Sequence, residues 1–156
     1  MSVSLALYQP DIPQNTGTIL RLCACMNVSV HIIHPTGFTF SDKIFRRSAM
    51  EYADHVDLHE HDSFSRFEEW RTRNNARLVL MTTKTSTLAY DFAYETNDIL
   101  MAGRESAGVP DQVAKTCDAK VRIPMQAQLR SLNVAISCAM VLGEALRITG
   151  GFDALQ

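Results

Sequence analysis

The sequence predicts an α/β fold: an open, mostly parallel sheet with helices on both faces. Three observations carry this expectation. Short β-branched runs alternate with longer amphipathic runs along the whole chain. Glycine, proline and short polar residues mostly fall between the runs rather than inside them. The 156 residues match one domain, 1–156, and a chain of 17.4 kDa can bury about 69% of its surface without staples.

The elements follow in order. Val3–Tyr8 reads as a strand, and Pro10-Asp11-Ile12-Pro13 breaks it. Asn15 or Thr16 can then cap a helix running to about Met26, because a short polar side chain accepts the free amides of a first turn. Val28–Ile33 is β-branched and ends at His34-Pro35, so it reads as a second strand. Ser41 can cap a helix that carries Lys43, Arg46 and Arg47. Val56–Leu58 is a short strand candidate and Ser63–Arg73 a helix. Arg77–Thr82 and Ile99–Ala102 are strands. Pro110 suits the opening of a short helix, where its missing N–H costs nothing. Lys120–Ile123 is the last strand, and Leu132–Thr149 the longest helix, closed by Gly150-Gly151. No internal repeat, low-complexity tract or linker interrupts the series.

Composition narrows the function classes. Hydrophobic residues make up 46% and charged residues 21%, which excludes a disordered chain. The formal charge is −2, and the 15 basic and 17 acidic residues divide evenly between the two halves. Any grip on nucleic acid must come from a local patch or from dimerisation rather than from bulk charge. No secretory signal opens the sequence. The longest charge-free stretch, residues 22–41, holds Asn27, two histidines, Pro35 and Gly37 and does not read as a membrane span. Four cysteines without a Cys-x-x-Cys pattern point to a reducing cytoplasm.

Ligands of open parallel sheets bind beyond the carboxyl ends of the strands. Three such ends carry unusual loops: Thr83-Lys84-Thr85-Ser86, then Gly103-Arg104-Glu105-Ser106-Ala107-Gly108-Val109-Pro110, then Pro124-Met125 with Arg130-Ser131-Leu132-Asn133. Together they can enclose one pocket. The glycine loop is neither a P-loop nor a dinucleotide fingerprint, because it lacks a following Lys-Ser/Thr and the G-x-G-x-x-G order. From spacing alone it is equally a plain strand-to-helix turn. Ala135, Ala139 and Gly143 recur at four-residue steps on one face of the last helix, to pack against the sheet or a second subunit. Arg21 can snorkel to solvent or meet an anion at the sheet edge. Lys43, Arg46 and Arg47 form a solvated face or a phosphate grip. His55, His59 and His61 match no zinc spacing and read as a charged surface strand or loop.

In order and spacing, these segments resemble the SPOUT superfamily of RNA 2′-O-methyltransferases, closest to the small type that modifies the tRNA wobble nucleotide. Pro10-Asp11-Ile12-Pro13-Gln14-Asn15-Thr16-Gly17 with Arg21-Leu22-Cys23, the Gly103–Pro110 loop, and Ile123-Pro124-Met125 with Arg130-Ser131-Leu132-Asn133 carry the resemblance over nearly the whole chain. It implies a trefoil knot near the C-terminus, a homodimer joined through the last helix, and S-adenosylmethionine as methyl donor without a metal. It implies that Met81, Gly103, Ile123, Ser131, Glu105 and Asn133 form the cofactor site. Arg21 then activates the ribose hydroxyl, with Asn15 positioning it. Lys43, Arg46, Arg47 and Arg130 are the expected tRNA phosphate contacts. The chain departs from the usual pattern at Ala102, Val109, Ala135, Ile136 and Gly143, which bears on substrate grip more than on the cofactor. The alternatives are the same chemistry at another tRNA or rRNA position, or a non-catalytic nucleotide- or RNA-binding module of flavodoxin-like form.

Overall fold

A computed structural model describes residues 2–40, 43–49 and 51–156. Six strands form one sheet, every pairing parallel: β1 (Ser4–Tyr8), β2 (Val30–Ile33), β3 (Leu58–His61), β4 (Arg77–Met81), β5 (Asp98–Ala102) and β6 (Ala119–Val121), in the spatial order β3-β2-β1-β5-β4-β6. The helices are α1 (Pro13–Met26), α2 (Lys43–Ala49), α3 (Phe64–Arg73), α4 (Asp111–Thr116) and α5 (Val134–Thr149), with a 3-10 turn at Ala53–His55.

Alternation along each strand builds two cores. Leu5, Leu7, Val30, Ile32, Val79 and Leu100 face one side, where α1, α2 and α5 pack through Leu20, Phe45 and Leu142. Ala6, Tyr8, Ile33, Leu78, Leu80 and Met101 face the other, under Phe67 of α3 and Val113 of α4. The expected architecture, helices on both faces of a parallel sheet, is what forms.

Several boundaries move. Pro13 opens α1 rather than breaking the chain before it; Ile12 is the N-cap residue, and neither Asn15 nor Thr16 caps. A proline at the first position wastes no hydrogen bond, so the helix can start there. Ser63 does cap α3, accepting from the Arg66 amide at 3.2 Å. Asn133 caps α5, one residue inside the expected start. The third strand lies at Leu58–His61, slightly beyond the expected run. The expected cap at Ser41 falls outside the described residues.

The stripe on α5 divides. Ala135 is buried, but Ala139 is exposed and a Cβ built on Gly143 would meet nothing within 4 Å. Packing against the chain's own sheet therefore accounts for Ala135 alone. Beside the stripe, Ile136 is 53% exposed, with Met140 and Ile148 also open to solvent.

Candidate active site

Because all strands run parallel, the carboxyl ends of β4, β5 and β6 open on one edge. A cavity of about 790 Å³ lies there, within the ~300–1,000 Å³ range of small-molecule and cofactor sites. Leu80 and Met81 contribute from β4 with Thr82 just after it, and Ala102 to Glu105 and Ala107 to Val109 from the end of β5. Val121 to Ile123 and Met125 contribute from the end of β6, and Ser131 to Val134 from the entry to α5. The three loops singled out in the sequence do meet.

The Gly103–Gly108 loop closes on itself. The Arg104 amide donates to the Gly108 carbonyl at 3.0 Å and the Gly108 amide returns to Arg104 at 2.8 Å. A Cβ on Gly103 would stand 2.8 Å from backbone atoms of Gly108, so only glycine lets the two segments approach. Gly108 itself sits at φ +66° with open space beside it.

A second loop is clamped to this one. The Asp11 amide donates to Glu105 Oε2 at 3.1 Å, the Ser106 hydroxyl donates to the Asp11 carboxylate, and Arg104 stands 3.6 Å from that carboxylate. Hydrogen bonding from Glu105 holds Asp11 below the usual carboxylate range, while burial holds Glu105 above it. The two shifts run in opposite senses, Asp11 toward its charged form and Glu105 toward its neutral one. Farther along the rim, Asn133 accepts from the amides of Ala135 and Ile136 and donates to Asn15 Oδ1 at 3.0 Å. Through this contact the openings of α1 and α5 hold each other.

The cavity thus brings together Met81, Gly103, Glu105, Ile123, Ser131, Asn133 and Asn15. Arg21, Lys43, Arg46, Arg47 and Arg130 do not line it. Arg21 lies six residues beyond Asn15, about 9 Å along the helix and on another face. It is exposed, and its guanidinium carbon stands 4.8 Å from the centre of the Tyr52 ring. Lys43, Arg46 and Arg47 are exposed on α2, which packs against α1. Arg130 is exposed beside Ser131. Lys120 and Arg122 also line the cavity, and sequence reasoning missed them. Their position next to the last strand end was the available signal.

Among the described residues, no group of three or more His, Cys, Asp or Glu side chains could hold a metal ion, and no helix is long and apolar enough to cross a membrane. The four cysteines are free thiols. His59 and His61 do lie on a strand, yet His61 is buried, hydrogen-bonded to the buried His31 at 3.0 Å.

A parallel sheet whose adjacent strand ends share a cofactor-sized cavity, bordered by a loop that closes tightly at Gly103, places the chain among α/β nucleotide- and cofactor-binding proteins. Residues 2–143 match the SpoU rRNA Methylase family, and the chain belongs to it. A Beijerinckia indica protein named tRNA (cytidine(34)-2′-O)-methyltransferase is 56% identical over 146 residues, covering 94% of this chain and 91% of its own. One of the same name from Escherichia coli K12 is 37% identical, covering 95% and 94%. A solved structure described as giving insight into 2-OH methylation of C/U34 on tRNA superposes with a TM-score of 0.89 at 36% identity, covering 94% of this chain and 95% of its own.

Proposed function

We propose that this protein transfers a methyl group from S-adenosylmethionine to the ribose 2′-hydroxyl of tRNA nucleotide 34, a cytidine or modified uridine at the wobble position. The cavity at the joined ends of β4, β5 and β6 carries the reading, and the names of relatives that match nearly end to end set the substrate.

The residues present fit the methyl donor. The absence of a side chain at Gly103 lets the Gly108 backbone pack against it and close the loop that borders the cavity, and an apolar floor of Leu80, Ala102, Val121 and Ile123 suits a purine. Met81, Gly103, Ile123 and Ser131 hold it, with Glu105 and Asn133 fixing the surrounding loops. The donor supplies a methyl group already activated on a sulfonium. The protein's task is then to align the hydroxyl with that group and to exclude alternatives, a proximity task. Arg21 holds the adjacent phosphate and stabilises the alkoxide as the hydroxyl proton passes to solvent water, since a guanidinium is too weak an acid to become a base itself. Asn15 fixes the start of the helix that carries Arg21.

Arg21 is exposed and does not line its own chain's cavity, and we infer that it serves the cavity of a second copy. The exposed Ile136, Met140 and Ile148 and the open space at Gly143 suit a homodimer joined through α5. Lys43, Arg46, Arg47 and Arg130 then grip tRNA phosphates. Residues 1–156 act as one domain in the cytoplasm, without a metal. The segment after β6 pairs with the 82–97 loop, Ala89 donating to Arg122 at 2.8 Å and Arg122 to Thr87 at 2.9 Å. A trefoil knot, with the chain end threaded through that loop, belongs to the same reading, and this pairing of the two segments supports it.

Bulk tRNA incubated with tritium-methyl S-adenosylmethionine tests the reading. It predicts label in 2′-O-methylcytidine or 2′-O-methyluridine derivatives at position 34. Label elsewhere, or in rRNA only, moves the substrate; a preparation that transfers none and carries a yellow flavin ends the assignment. Gly103→Ala is expected to weaken S-adenosylmethionine binding at least tenfold by titration calorimetry, because its Cβ meets backbone that cannot yield cheaply. Gly108→Ala costs only the ~1 kcal/mol of a positive φ and should bind more nearly as wild type. Equal, unaltered binding by both would remove the cradle from the cofactor site.

A further inference from the structure

We propose that Tyr52 is a positioning residue for methyl transfer, holding the Arg21 guanidinium by its flat face while leaving the in-plane N–H donors to the RNA. The inference rests on the reading above, which gives Arg21 its role at the ribose.

Three other arginines are held by carboxylates, and the one of them that also meets an aromatic face, Arg77 over Phe92 at 4.9 Å, keeps its carboxylate pairs as well. Arg71 pairs with Glu68 and Asp118, Arg77 with Glu95 and Asp98, and Arg147 with Glu144. In each, carboxylates occupy the donors and neutralise the charge. Arg21 has no such partner among the described residues; its contact is the Tyr52 ring, 4.8 Å from the guanidinium carbon. That arrangement suits an arginine whose donors have work elsewhere. A long side chain free in solvent samples many rotamers, and an aromatic face narrows them without consuming a hydrogen bond. A carboxylate in the same place would compete with the phosphate that Arg21 must meet.

Tyr52 is itself held. It is half-buried, its amide donates to the Ala49 carbonyl at 2.9 Å, and its carbonyl accepts from the His55 amide at 3.0 Å. These bonds tie it between the end of α2 and the 3-10 turn that packs on α1. Tyr52 therefore follows directly on the helix that carries the exposed Lys43, Arg46 and Arg47, where the RNA backbone is expected. It keeps Arg21 aimed outward before substrate arrives, so less orientational freedom is lost on reaching the transition state.

Steady-state methylation of tRNA by wild type, Tyr52→Phe and Tyr52→Leu tests this, with S-adenosylmethionine affinity and melting temperature measured on the same preparations. Tyr52→Leu keeps bulk but loses the ring, and is expected to lower kcat about five- to tenfold, with cofactor affinity within twofold of wild type. Tyr52→Phe keeps the ring and should recover at least half of the activity. A Leu variant as active as wild type overturns the proposal. So does a Phe variant as slow as Leu, which would place the effect in the hydroxyl. A loss of kcat matched by loss of cofactor affinity and melting temperature in both variants would make Tyr52 merely structural. Wild type that methylates no tRNA in the same assay overturns the functional reading as well, which separates the two failures.

Discussion

Arg21→Ala is expected to abolish methyl transfer to tRNA, by on the order of a thousandfold, as removal of a group that stabilises developing oxyanion charge does. Cofactor affinity should stay within a few fold, because Arg21 does not line the cavity. Calorimetry with S-adenosylmethionine and a tritium-methyl assay separate the two quantities. The same variant tests whether the site is shared between copies. Mixing Arg21→Ala protein with a cofactor-binding-defective Gly103 variant forms some mixed dimers that join a sound cavity from one chain to a sound arginine from the other. If Arg21 acts across the dimer, two inactive proteins regain activity, up to about a quarter of wild type when exchange is random. If it acts within its own chain, the mixture stays inactive. An Arg21→Ala protein that methylates normally removes Arg21 from the reaction.

The distance of Arg21 from its own cavity shows what a single sequence conveys and what it does not. The cavity itself was legible. Parallel strands send their carboxyl ends to one edge, so unusual loops after Met81, Ala102 and Val121 had to be neighbours if those strands were adjacent. The glycine pair was legible as a turn, but that Gly103 faces Gly108 backbone at 2.8 Å is a fact of loop closure. The direction of Arg21 was not legible. It depends on where α1 begins, and each residue of error turns the side chain by 100°. Pro13 as the first helical residue moved that origin.

The histidines teach the same lesson at the other end of the sheet. Asp57, His59 and Glu60 make the segment look solvent-facing, and Glu60 is exposed. Alternation nevertheless sends His59 and His61 to the opposite face together, where α3 covers them with Phe67 and Trp70. Nothing in the run itself tells that β3 lies beside β2, so the pairing of His61 with His31 could only come from the sheet order. The resulting cluster is tight. His31 stacks on His59 at 4.9 Å and His61 at 5.2 Å, with Trp70 at 4.5 Å.

That cluster should make the fold acid-sensitive well above the carboxylate range. Burial, then the neighbouring His59 and His61, depress His31 from 6.5 to about 3; burial also lowers His61. Between those values the unfolded chain binds a proton on His31 that the folded chain refuses, so stability is fully present above pH 6.5 and declines as the pH falls toward 3. For one such histidine the loss relative to neutral pH is about 2 kcal/mol at pH 5, and His61 adds in the same sense. Asp11 and Asp57, held below their ordinary values, lose their contribution only in stronger acid. Glu105, held above its ordinary value, acts in the opposite direction and is common to every variant compared. Urea unfolding at pH 7.5 and pH 5.0 reads the effect directly. His31→Gln can still hydrogen-bond His61 but cannot titrate, so its midpoint should fall less between the two conditions than that of wild type, whatever its absolute stability. Equal falls in the two proteins would mean that the protons taken up on unfolding belong elsewhere, and that His31 does not carry the acid sensitivity.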